Sequence, residues 1–148
     1  LKNNKIDIIA TDHAPHTWDE KNQGYPQAPA GLPLVQHGLQ ILMDFYHQDV
    51  LSLEMIVEKT SHNVAKRFQV KDRGYIREGY YADLAVLDLE KPYEVSEENI
   101  LYKVGWSPFS GKTFNSSIYM TIVNGHIAFQ DGQINDDLPF GMQIEFNR

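Results

Sequence analysis

No cysteine occurs in this 148-residue chain. That excludes disulfides and thiolate metal ligands, so any metal has to be held by histidine or carboxylate. It also fits a reducing compartment, and a cytoplasmic location is expected. Basic residues are outnumbered: 13 Lys and Arg stand against 20 Asp and Glu, for a net charge of −7. With no basic cluster, a nucleic-acid partner is not expected. Apolar runs are a few residues long, well short of the roughly 20 that a membrane-spanning helix needs, so no membrane partner is expected either. Repeats, low-complexity segments, heptads and a visible signal peptide are also missing.

The remaining composition is that of a soluble globular protein, with 42% hydrophobic and 22% charged residues. The length suffices for one core. A complete parallel α/β barrel takes roughly 250 residues. The chain opens on Leu1 rather than methionine, and its first strand arrives almost at once. It is therefore read as the C-terminal part of a longer protein, with an independent small domain as the alternative.

What is present concentrates in seven residues. Ile6-Asp7-Ile8-Ile9 reads as a buried strand, and Ala10-Thr11-Asp12-His13-Ala14-Pro15-His16 follows directly. Asp12, His13 and His16 can all bind metal or move protons. At the C-terminal end of a barrel strand, that is where chemistry sits. Taken singly, Asp12 reads as a cap or loop acceptor and each histidine as an ordinary loop residue. Three such groups within five positions, after a strand and before a Gly-rich loop, favour a site. A carboxylate there can ligate a metal, or take a proton from a water whose pKa the metal lowers. His16 can donate to an anionic substrate, and Pro15 stiffens the turn between them.

Two regions follow one another. Residues 1–72 read as strand, long loop over 17–33, and helices. Apolar residues at helical spacing mark a helix over 34–47, with Pro33 in its first turn. Ser52 reads as the N-cap of a helix over 53–59, and Ser61 as the N-cap of another over 62–68. His37 and His47 are placed on helix faces. Residues 73–148 read as a small β-subdomain. Strands are expected over 82–89, 117–123 and 126–130, with Asn124-Gly125 as a two-residue hairpin turn and Asp131-Gly132 ending the last. Pro92, Pro108 and Gly111 punctuate a long loop, and the tail after Asp136 has no clear period.

Ala-Thr-Asp-His-Ala-Pro-His resembles the eighth-strand motif of dihydroorotases, within the amidohydrolase superfamily. The likeness continues through Gly31-Leu32-Pro33, Asn63 to Phe68, Gly74 to Leu84, Ser107 to Gly111 and Thr121 to Gly125. It covers nearly the whole chain except the tail. The Gly-x-x-Ala-Asp-Leu part is shared by many amidohydrolases. The Asp-His-Ala-Pro-His part is more specific, since allantoinases and dihydropyrimidinases usually lack its second histidine.

The resemblance implies an α/β fold. It would comprise the last strand and helices of a metal-dependent hydrolase TIM barrel, followed by a small β-sandwich subdomain. It implies that Asp12 is both metal ligand and general acid/base in a binuclear zinc site, that His16 binds the substrate carboxylate, and that Ala30 and Gly31 meet substrate through their backbones. The family's first-strand His-x-His pair, its carboxylated lysine and its other metal-binding histidines have no counterpart here. The expected partners are thus a small-molecule substrate, the missing N-terminal part of the same polypeptide, and a second copy in a homodimer. Three functions compete: a dihydroorotase of pyrimidine synthesis, an allantoinase or other cyclic amidohydrolase, and a non-catalytic scaffold. The isolated 148 residues are expected to be inactive.

Overall fold

A computed structural model describes residues 1–136 and 139–147. The elements in chain order are α1 (Trp18–Lys21), a 3-10 turn (Val35–His37) leading into α2 (Gly38–His47), and α3 (Leu53–Val57). A π turn (Glu58–His62) and α4 (Asn63–Phe68) come next, then β1 (Leu84–Asp88), β2 (Tyr93–Glu94) and a 3-10 turn (Glu97–Asn99). β3 (Thr113–Phe114), β4 (Ser117–Val123), β5 (His126–Gln130) and β6 (Gln133–Ile134) complete the set.

Helical periodicity in the first region is realised over 38–47, with one correction at its start. Pro33 lies outside the helix, because a 3-10 turn capped by Leu34 intervenes. Ser52 caps α3 as expected, its hydroxyl accepting from Met55 N–H at 3.2 Å. Ser61 does not cap. Residues 53–68 form one uninterrupted helical run in which a π turn replaces the expected break. The Ser61 hydroxyl instead donates to the Gly74 carbonyl at 3.1 Å, tying the helix to the chain that leaves it.

The expected strand over 6–9 forms no ladder. A parallel strand needs a neighbour, and among the described residues none lies alongside it. Its bonds go to helices: Ile9 N–H donates to Lys59 O at 3.0 Å, and the Asn63 amide to Asp7 O at 2.9 Å. Ile6 is 54% exposed rather than buried. The long loop also holds an unforeseen helix, α1. Thr17 and Glu20 form a capping box at its start, and Lys21 Nζ donates to Pro29 O at 2.6 Å to close the loop.

The second region is antiparallel. One sheet has the order β1-β4-β5-β6, and β2 pairs with β3 as a separate ribbon. Of the sandwich expected, the described residues thus supply one four-stranded sheet and one two-stranded ribbon. Asn124 and Gly125 both take positive φ, 52° and 83°, as the hairpin turn between β4 and β5 requires. Asp131 and Gly132 repeat the device before β6. The expectation for the tail at residues 137, 138 and 148 lies outside the described residues.

Leu42 and Met43 of α2 pack with Leu51 and Ile56, and Ile9, Leu87 and Leu89 cover them. Helices and sheet thus share one core. Asp44 is buried and accepts from Asn115 N–H and Nδ2–H, both at 3.1 Å, with Lys112 Nζ at 2.7 Å from its other oxygen. Burial raises its pKa, but Lys112 and Asn115 outweigh that and hold the carboxyl below its usual range.

Candidate active site

The site begins with a turn. Asp12 has φ 46°, a left-handed conformation that Asp tolerates better than most side chains. It leaves the carboxylate exposed to solvent, and among the described residues no cation or hydrogen-bond donor pairs with it.

His13 turns the other way. Its Nδ1 accepts from Leu34 N–H at 3.0 Å and Val35 N–H at 3.3 Å. The ring therefore satisfies two of the free amides at the start of the 3-10 turn, the role a capping side chain plays. It packs against Tyr102, centroids 5.4 Å apart. His13 is thus a loop-supporting residue, although it belongs to the cluster that marks the turn in the sequence.

The turn is clamped to the segment at 30–32. His13 bridges to Leu32 in parallel register, and Ala14 N–H donates to Leu32 O at 3.2 Å. Gly31 has φ 110°, and a Cβ on it would lie 2.6 Å from the Ala14 carbonyl oxygen. Gly38 makes a second close approach, since a Cβ there would lie 2.6 Å from Thr11 Cγ2. Asp12 is thus flanked by Thr11 packed on the start of α2 and by Ala14 packed on Gly31. Asp12, Ala30 and Gly31 come from two segments joined by these contacts.

His16 stands four residues after Asp12, before α1. Its side chain is half-buried, with Nδ1 3.8 Å from Glu20. The Glu20 carboxyl is held below its ordinary range, first by the Thr17 amide and then by the Thr17 hydroxyl, with His16 adding a smaller pull. The His16 carbonyl accepts from Trp106 Nε1–H at 2.8 Å.

Behind the turn lies His37, fully buried among Tyr93, Tyr102, Phe109 and Phe114. Its Nδ1 is 3.4 Å from Ser107 Oγ and 3.5 Å from Tyr102 Oη. Its Nε2 has no partner among the described residues. Burial pushes its pKa down to about 4, so it is a neutral packing group. Helical spacing placed His37 on a face of the helix expected over 34–47, whereas it lies in the 3-10 turn before α2, fully enclosed.

Among the described residues, no three His, Asp or Glu side chains gather to hold a metal. Asp12 offers one ligand, whereas zinc takes about four. The donor fits a share of a metal site and not a whole one.

Residues 1–128 match the sequence profile of the amidohydrolase family. A dihydroorotase of Endomicrobium trichonymphae is 40% identical over 131 residues, which are 88% of this chain and 31% of that protein. A dihydroorotase of Pyrococcus abyssi is 36% identical over 133 residues, 90% and 32% of the two chains. This chain spans about a third of the length of those relatives. Among solved structures, L-hydantoinase (dihydropyrimidinase) from Arthrobacter aurescens superposes with a TM-score of 0.85 at 28% identity. That match covers 96% of this chain and 33% of the other. D-hydantoinase (dihydropyrimidinase) from a Thermus species gives 0.77 at 26%, covering 88% and 30%.

Proposed function

The chain belongs to the amidohydrolase family, and on that premise we propose that it is the C-terminal part of a dihydroorotase. The reaction is the reversible, zinc-dependent interconversion of dihydroorotate and N-carbamoyl-aspartate in pyrimidine synthesis. The observation that carries this reading is the 40% identity to a dihydroorotase over 88% of the chain.

In this reading residues 1–72 are the last strand and helices of a TIM barrel, and residues 73–148 are its β-subdomain. The remaining barrel strands and metal ligands come from an N-terminal part of the same polypeptide. The enzyme works as a homodimer in the cytoplasm. No helix of the described residues is long and apolar enough to cross a membrane.

Asp12 would hold one position on a divalent metal ion, which when bound would lower the pKa of the attacking water towards neutrality. The Asp12 carboxylate takes the proton from that water and gives it to the ring nitrogen as the C–N bond breaks. Its exposed, unpaired state in the left-handed turn suits that task. His16 donates to the substrate carboxylate, and the Ala30 and Gly31 backbones face the ring.

A second reading, a cyclic amidohydrolase whose substrate has no ring carboxylate, is favoured by the TM-score of 0.85 to a hydantoinase. His16 separates the two. In the longer enzyme, His16→Ala should lower kcat/KM for dihydroorotate by about one to two orders of magnitude, the loss of a charge-assisted hydrogen bond. Turnover of dihydrouracil should change far less. Equal losses on both substrates, or a parent enzyme that prefers hydantoin or allantoin, would replace the first reading by the second.

A further inference from the structure

Trp18 and Trp106 are the chain's two tryptophans. They meet edge to face, ring centroids 5.7 Å apart. One of them reaches the candidate site: across 90 residues of chain, Trp106 Nε1–H donates to the His16 carbonyl at 2.8 Å. The His16 ring lies 3.8 Å from Glu20, too far for a hydrogen bond. The anchor on His16 is therefore on its backbone, and it comes from the second region.

Both ends of that anchor are held. Pro15 restricts the residue before it and the turn that delivers His16. The Trp18 ring braces the Trp106 indole from the side. Ser107, the next residue, is buried, with its hydroxyl 3.4 Å from the enclosed His37. A side chain that binds an anion by one hydrogen bond depends on where its Cα sits, and misplacement by about an ångström costs much of the interaction.

We propose that Trp106 is a positioning residue for substrate recognition: its indole N–H fixes the His16 backbone, and so the point from which the His16 ring donates to an anionic substrate group. This rests on the role given to His16 above. The indole itself touches no substrate.

The test is steady-state kinetics with dihydroorotate on the longer enzyme carrying this chain. Trp106→Phe keeps an aromatic ring and removes the donor. It should raise KM roughly three- to tenfold, the loss of one ordinary hydrogen bond, and leave kcat within about twofold. Trp106→His places imidazole Nε2 near the position of the indole nitrogen and should bring KM back close to the parent value. Combined with His16→Ala, Trp106→Phe should add nothing further, since both act through one contact.

Multiplicative losses in the double variant, an unchanged KM in Trp106→Phe, or no recovery in Trp106→His would each overturn the proposal while leaving His16 in its role. A His16→Ala enzyme with the parent KM would overturn the role of His16 and the proposal with it. A second readout needs no folded Trp106→Phe. In enzyme labelled with ¹⁵N at the indoles, the Trp106 N–H resonance, assigned by its absence from Trp106→His, should shift with dihydroorotate in the parent and not in His16→Ala. A resonance that dihydroorotate leaves unmoved in the parent also overturns it.

Discussion

Ala14 and Gly31 pack so closely that no other residue fits where the glycine is: its φ of 110° and the 2.6 Å from a hypothetical Cβ to the Ala14 carbonyl both exclude a side chain. This contact clamps the Asp12 turn to the Ala30–Gly31 segment. Gly31→Ala should therefore strain the backbone and push the two segments apart, costing about 2–4 kcal/mol. Urea unfolding of the longer enzyme measures this, and activity should fall with it. A variant as stable and active as the parent would mean that the clamp has slack.

Asp12→Asn isolates chemistry from conformation. Asn accepts the left-handed φ of 46° as readily as Asp, so the turn should persist and thermal melting should move little. Turnover should fall by several orders of magnitude, because an amide cannot take the proton and is a poor metal ligand. Parent-like turnover would make Asp12 a turn residue only.

The 148 residues alone should not convert dihydroorotate, even with added zinc. One candidate carboxylate, Asp12, where a zinc site needs about four ligands is the reason. Loss of dihydroorotate absorbance under those conditions would show that the chain carries a complete site.

His37 should make stability depend on pH. Its folded pKa is about 4, pushed down by burial, against 6.5 for the free group. Between those values the unfolded chain binds a proton that the folded chain refuses. Stability from this residue is thus full above pH 6.5 and declines as pH falls towards 4, by up to about 1.4 kcal/mol per unit. Urea unfolding at pH 7 and pH 5 should show a steeper loss in the parent than in His37→Gln. Parallel pH profiles would indicate that His37 titrates normally.

Local signals were readable where local chemistry decides. Asn124-Gly125 specifies a hairpin by itself, because both residues accept positive φ. Ser52 specifies a helix start, since its hydroxyl needs only the amide three residues on. Thr17 and Glu20 carried a capping-box signature that the surrounding Gly, Pro and Gln obscured. Ser61 misled because a hydroxyl at that spacing caps a helix or sits within one, and only the Gly74 carbonyl decides which. The strand at 6–9 depends on neighbours that the local sequence does not supply. Asp12 and His16 stood out by clustering, whereas Trp106 gave no signal, being 90 residues away from the carbonyl it serves.

The helix at 38–47 and the 3-10 turn before it are stitched to residues far along the chain. Gln36 bonds Asn99, Leu101 and Tyr102, Asp44 bonds Asn115, and the His47 ring lies 2.7 Å from Ser116 Oγ. All these ties cross the connection near residue 72 without passing through it. Cutting the backbone there would sever one covalent link and leave the stitches intact. The two pieces would hold together as complementing halves, and the molecule could be nicked, or expressed as two chains, without separating the Asp12 to His16 turn from the Trp106 indole that bonds it.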